Sequence, residues 1–218
     1  PKQRAETAIL HNDDISLVRR SLENVYKYFL ANENSAIWHK FKNEFVFNEN
    51  RLEGVEVDIE TVSEILTDLR VNGEKSEFRT EKYSSIIEVA GHSLMFDYIM
   101  QPDNAPTTIF NILTLNAMLY KYAPFPETGG KLRDSNNYVA GAQFETVDYS
   151  DIPKELCKLD VNLKELLRNK NELSLGDYID QTVKIHYALT IIHPFADGNG
   201  RTSRVLLNWL FRIRSLPP

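Results

Sequence analysis

Two apolar helical stretches lie close together near the C-terminal end, and a short polar segment joins them. From Tyr178 to Ile192 apolar residues return at helical spacing. From Val205 to Phe211 the chain reads Val-Leu-Leu-Asn-Trp-Leu-Phe, apolar on nearly every side. Both stretches read as buried helices. The residues from His193 to Arg204 are therefore held at a helix-to-helix turn, against the core, although most of them are polar. Pro194 disfavours helical geometry at His193, so the first helix is expected to stop there. Gly198 and Gly200 permit positive φ, and the second helix is expected to begin near Arg201.

The side chains of this turn suit phosphoryl chemistry. Glycines ahead of a helix start gather backbone N–H groups into an anion cradle. Arg201 and Arg204 are three apart, neighbours on one face of the first helical turn, where the helix dipole is already positive. Asp197 is the one acid of the loop, and a lone carboxylate beside phosphates is a typical Mg²⁺ anchor. His193 has a reference pKa near neutrality and is the natural general base. Phe195 is expected to pin the loop to the core.

The run HPFADGNGRTSR, residues 193–204, resembles the signature of the Fic family, HPFx(D/E)GNGRxxR, at every specified position. The resemblance implies an all-α Fic fold, a helical bundle with a small β-hairpin flap, that moves AMP from ATP to a hydroxyl of a target protein. It implies that His193 deprotonates the target and Asp197 binds Mg²⁺. Phe195, Gly198, Asn199 and Gly200 then belong to the nucleotide loop, and Arg201 and Arg204 hold the β- and γ-phosphates. Within the family a kinase-like branch has lysine where Gly200 stands, and a phosphocholine-transferring branch lacks the second arginine. Gly200 and Arg204 are both present here, which favours AMP transfer to Tyr, Thr or Ser.

The remainder of the composition narrows the partners. The 218 residues carry a net charge of −6, so nucleic acid is not expected as a partner and the loop arginines are a local cationic site on an acidic protein. Cys157 is the only cysteine, which excludes a disulfide framework and fits a reducing cytoplasm; a bacterial source is expected. No apolar run approaches a membrane span. Residue 1 is Pro1 rather than Met, and Ser215–Pro218 follow directly on an apolar helix, so a longer parent chain is expected.

Upstream, the spacing predicts an amphipathic helix over 13–30, whose apolar positions Ile15, Val18, Leu22, Val25 and Phe29 step by three or four. A second helix begins near Asn34 or Ser35 and carries Ile37, Trp38, Phe41 and Phe45; Gly54 suits its C-cap. Asp58 suits the N-cap of a third, bearing Ile59, Val62, Ile65, Leu66 and Leu69. The stretch ending in Glu53-Gly54 resembles the inhibitory motif (S/T)xxxE(G/N) of many Fic proteins. By that resemblance Glu53 pairs with Arg204 and blocks seating of the γ-phosphate. The Ser/Thr position holds Glu49 instead, one helical turn before Glu53, and Arg201 and Arg204 are the cations that could face such a pair. This divides the chain into an N-terminal helical region, 1–75, with an inhibitory helix at about 35–54, and a catalytic core, 76–218.

Further helices are expected over 81–100, after Thr107 or Thr108, and over 159–173. Between Gly129 and Pro153 the helical period disappears, and β-formers flank glycine across 137–147, so a hairpin is expected there. Family members carry a flap at this place that aligns the target by strand addition, with Tyr138 and Val139 as the candidate contacts. His92 and His186 lack further ligands at metal spacing and read as structural. Two other functions use the same residues: removal of AMP, with Glu53 orienting a water, and a nucleotide-gated binding module. Self-modification is a further expected outcome, and the oligomeric state, a homodimer included, is left open.

Overall fold

The computed structural model describes residues 16–17, 20–21, 23–25, 27–28, 36–79, 84–101, 103–139, 141, 144–214 and 216. Its helices are α1 (Ala36–Leu52), α2 (Ile59–Asn72), α3 (Ser84–Met100), α4 (Asn111–Leu119), α5 (Ile152–Asn169), α6 (Leu175–Ile192) and α7 (Asn199–Ile213). Every described position between 16 and 28 is also helical; the rest of the helix expected over 13–30, with Ile15, Val18, Leu22 and Phe29, lies outside the described residues. So do the start at Asn34 or Ser35 and the side chains of Ile37, Trp38 and Phe41.

Local chemistry accounts for the boundaries. Asp58 caps α2 by accepting from the Thr61 N–H at 2.6 Å, and its carboxyl lies below its ordinary range chiefly because of that bond. Ser174 does the same for α6, accepting from the Asp177 N–H at 3.1 Å while its hydroxyl donates to Asp177 Oδ2 at 2.6 Å. α5 starts at Ile152, earlier than the expected 159, because Pro153 sits in the first turn, where a missing N–H costs no hydrogen bond. Ahead of α4 the N-cap position is Phe110, whose N–H donates to the Thr108 hydroxyl at 3.4 Å; that hydroxyl donates to Asp160 Oδ1 at 2.6 Å, and Asn111 Oδ1 accepts from the N–H groups of Thr107 and Thr108.

α3 is the axis of the bundle, touching α1, α2, α4 and α7. One buried cluster joins Ile65 and Leu69 of α2 to Phe96 and Ile99 of α3, Leu115 of α4, Leu163 of α5, Leu189 of α6 and Trp209 of α7. A smaller one, Val46, Val62 and Val89, ties α1 to α2 and α3. The crossing of α3 and α4 is so close that a Cβ on Gly91 would lie 1.8 Å from the Leu119 carbonyl oxygen. α6 buries one stripe, Tyr178, Thr182, Ile185, Leu189 and Ile192, whereas Val183 and Tyr187 are exposed, so it is less deeply buried than its composition implied.

The segment over 137–147 differs in detail from a paired hairpin. Among its described residues there is no strand ladder; Gly141 turns the chain at φ 76°, and Ala140, Ala142 and Gln143 lie outside the described residues. Its arms are joined instead by a side chain, the Thr146 hydroxyl donating to the Asn137 carbonyl at 2.8 Å. Among the described residues the β-pairing is a single antiparallel bridge, Leu132 with Phe195.

Candidate active site

α6 ends at His193, which adopts a left-handed conformation (φ 49°, ψ 59°) with its N–H bonded to the Leu189 carbonyl at 3.0 Å. It is the one non-glycine residue at positive φ among the described residues. Such a backbone costs about 1–3 kcal/mol and persists only where its surroundings over-determine it. The ring Nδ1 lies 3.3 Å from the Thr190 carbonyl oxygen. A carbonyl can only accept, so Nδ1 carries the proton and Nε2 keeps its lone pair. Burial lowers the imidazole pKa; the Thr190 bond acts against this and the Arg133 cation with it. The ring is therefore neutral at neutral pH, the form a general base needs.

The next residues are locked by their own side chains. Phe195 is fully buried, and Asn199 closes the loop by accepting from the Phe195 N–H at 2.9 Å and donating to its carbonyl at 2.8 Å. Gly198 has φ 76° and caps α7; a Cβ there would meet Leu119 at 2.6 Å and Asn116 at 3.0 Å. α7 begins at Asn199, earlier than expected, so Gly200 lies inside the helix and does not use positive φ. Its lack of a side chain matters for another reason: a Cβ would fall 2.3 Å from Glu53 Oε1. Asp197 is exposed, and its Oδ1 accepts from the Gly198 N–H at 2.7 Å, leaving the other oxygen unengaged by this bond.

Arg201 and Arg204 leave α7 toward different partners. Arg201 is buried and pairs with Glu88 of α3 at 2.6 Å, with a longer bond of 3.4 Å to Asn50 Oδ1. Burial raises the pKa of Glu88, and the Arg201 charge only partly offsets it. Arg204 is held by both acids at the end of α1: its Nε donates to Glu49 Oε2 and its Nη2 to Glu53 Oε1, each at 2.5 Å. Burial disfavours the Arg204 charge, but the two carboxylates outweigh it and its pKa is raised. Glu53 can reach because α1 stops at Leu52 and Gly54 (φ 78°) turns the chain away.

Several residues here gave no motif signal. Asn116 of α4 donates to the Asp197 carbonyl at 3.2 Å and accepts from the Gly130 N–H at 2.9 Å. Asn50 of α1 donates to His92 Nδ1 at 3.0 Å, so His92, fully buried, is tied to the end of α1. Arg133 is buried against the turn at His193. What marked them in the sequence was only that they are polar within apolar or loop segments. Tyr138, by contrast, is 93% exposed on the arm of the loop, and Val139 beside it is half-buried. His186 Nδ1 lies 3.2 Å from the Ser203 carbonyl oxygen, and no group of three or more metal-ligating side chains occurs among the described residues. No helix is long and apolar enough to cross a membrane among the described residues.

Comparison with known proteins agrees with this geometry. The Fic/DOC family model matches residues 106–211. Proteins named "Protein adenylyltransferase Fic" from Drosophila persimilis and Drosophila melanogaster are each 32% identical over 133 residues, which is 60% of this chain but only 25% of each relative. The matched part of the chain thus spans about a quarter of the length of those relatives. Among solved structures, Fic-1 from C. elegans superposes with a TM-score of 0.63 at 21% identity, covering 94% of this chain and 60% of that one. A Fic domain containing signaling protein from Bacteroides thetaiotaomicron also reaches 0.63, at 24% identity over 88% of this chain and 71% of its own. The bundle is therefore the all-α Fic fold. Residues 106–211 thus form a Fic/DOC-family domain within the chain.

Proposed function

We propose that the chain is a protein adenylyltransferase, moving AMP from ATP to a Tyr, Thr or Ser hydroxyl of a target protein, and that Glu53 with Glu49 restrains it. The observation that carries the reading is the company kept by Arg204. A cation at the start of a helix behind a glycine cradle is built for phosphate, yet here its guanidinium is engaged by two carboxylates at 2.5 Å. The Fic/DOC match and the Drosophila adenylyltransferase relatives favour AMP as the transferred group.

His193 Nε2 takes the proton of the incoming hydroxyl as that oxygen bonds to the α-phosphorus, and the bond to pyrophosphate breaks. Arg201 and Arg204 hold the departing β,γ-phosphates, and the first N–H groups of α7 face the charge that develops. Asp197 fits a Mg²⁺ ion, since it is exposed with one carboxylate oxygen outside the Gly198 bond, and Mg²⁺ keeps several waters and needs few protein ligands. Bound there, the ion would neutralise phosphate charge. Arg204 cannot serve the γ-phosphate while Glu49 and Glu53 hold it, so the closed arrangement favours weak turnover.

Labelled ATP with a cell lysate tests this in three proteins: wild type, Glu53→Gly and His193→Ala. Weak labelling by wild type, strong labelling by Glu53→Gly and none by His193→Ala are expected. No labelling by either of the first two overturns the reading. Release of AMP from a modified protein, without its addition, points to the hydrolytic reaction instead.

A further inference from the structure

We infer that Arg133 is a positioning residue for the transfer, holding His193 in its left-handed turn and fastening the segment over 137–147 to that turn. The inference rests on the transfer reading above. Arg133 precedes the segment and is buried, 6% exposed. Its Nε donates to the His193 carbonyl at 2.8 Å, and its backbone N–H donates to the Pro194 carbonyl at 2.9 Å. Nη1 donates to the Ser135 carbonyl at 2.7 Å, and Nη2 to the Val147 carbonyl and, at 3.4 Å, to that of Ile192. One planar guanidinium thus satisfies carbonyls just before the flap segment (Ser135), at its far end (Val147), at the end of α6 (Ile192) and at the turn (His193).

Those carbonyls need a donor. The last carbonyls of a helix lack intrahelical partners, and the left-handed turn at His193 takes its own carbonyl out of the helix line. A buried arginine presents a rigid fork of N–H groups, which lysine does not. The flap segment reaches the same place by two other bonds, the Val147 N–H to the Ile191 carbonyl at 3.2 Å and Asn137 Nδ2 to the Phe195 carbonyl at 3.3 Å. Along the chain, the acceptors of Arg133 at this end, Ile192, His193 and Pro194, fall between those two, Ile191 and Phe195. Because the segment has no ladder of its own among the described residues, its position relative to His193 is set by this fastening. A target peptide laid along Tyr138 and Val139 would be presented to Nε2 at a distance that Arg133 determines.

The test uses the full chain with Glu53→Gly, to which Arg133→Met or Arg133→Lys is added. Arg133→Met is expected to lower kcat by about 10²-fold, the effect of a displacement near 1 Å, with the Kd for ATP changed less than about twofold. Arg133→Lys, which keeps the charge without the fork, is expected to fall between, about tenfold down, and it carries the test if the methionine variant does not fold. Hydrogen exchange provides a readout separate from activity: faster exchange is expected in both 133–147 and 189–196 in either folded variant. Failure of the Glu53→Gly parent to transfer AMP would sink the transfer reading alone, and exchange would then decide whether Arg133 joins the two segments. Unchanged kcat in an active parent's variants, a loss of ATP affinity equal to the loss of kcat, or unchanged exchange in either segment overturns the inference.

Discussion

His193 carries two properties that its position explains together. Its backbone is left-handed and its ring is neutral, and both follow from leaving a buried helix beside Arg133. In the proposed transfer the ring serves the target hydroxyl and the arginines the phosphates, so the two functions should separate on mutation. His193→Ala is expected to abolish transfer while the Kd for ATP, measured by calorimetry, changes less than about threefold. Asp197→Ala should instead remove activity together with its dependence on Mg²⁺. A titration of activity against Mg²⁺ checks this, and an unchanged response would place the ion on another group. Phe195 and Asn199 hold the same turn in place: the first anchors it in the core and the second, opening α7, spends its amide on the Phe195 backbone.

At the scale of elements, the end of α1 and the start of α7 form one electrostatic unit. Glu49 and Glu53 are a helical turn apart and would repel each other; Arg204 between them removes that penalty. Glu53 also occupies the space over Gly200, 2.3 Å from where a Cβ would stand, whereas Glu49 approaches Arg204 from its Nε side. Glu53→Gly should therefore activate transfer by about tenfold or more, since breaking such a partly buried pair is worth a few kcal/mol. Glu49→Ala alone should activate less, and the double variant slightly more than Glu53→Gly. Initial rates with labelled ATP rank the three, and equal activation by the single variants would mean that the two acids share the role. The α3–α4 crossing offers a contrasting prediction about stability. Gly91→Ala drives a methyl into the Leu119 carbonyl, and because the obstacle is backbone the helices must separate. A loss of about 3 kcal/mol or more is expected in urea unfolding, at the upper end of overpacking costs.

At the scale of the whole molecule, the buried His92 couples stability to pH. Burial holds its pKa down to about 3, with the Arg201 and Arg204 charges adding to the effect. The folded protein thus refuses a proton that the unfolded chain accepts below about pH 6.5. The unfolded state binds more protons between those limits, so stability falls as the pH is lowered through that window, by about 1.4 kcal/mol per pH unit. Glu88 has the opposite sign: its raised pKa contributes stability below its unfolded value that is lost as pH rises through the folded one. Thermal melts of wild type and His92→Gln between pH 7 and pH 5 separate the two, because glutamine cannot titrate. The wild-type profile should slope and the variant profile should be flatter, with Glu88 common to both. Since His92 accepts from Asn50 near the end of α1, its protonation also removes a bond that ties down the helix bearing Glu49 and leading into Glu53.

The helices around the turn, the break at Pro194 and the gathering of His193, Asp197, Gly198, Arg201 and Arg204 at that turn were legible in the sequence because each depends on neighbours within a few residues. Helical period, proline and glycine act locally, and a signature of twelve consecutive residues carries its own geometry. The pairing of Glu53 with Arg204 was also expected, though only through a resemblance. Glu49 as its second partner followed from charge but needed the register of α1 against α7 to be seen. Glu88, Asn50, His92, Asn116 and Arg133 left no pattern, since each acts on residues tens of positions away. The flap segment differs for the same reason. Its β-forming residues favoured a ladder, but bonds from Arg133, Val147 and Asn137 to the end of α6 and its turn hold it open. Local preference determined which groups this chain has to use; only the packing of distant helices decided which of them meet, because a buried polar group takes whatever partner the tertiary fold brings within about 3 Å.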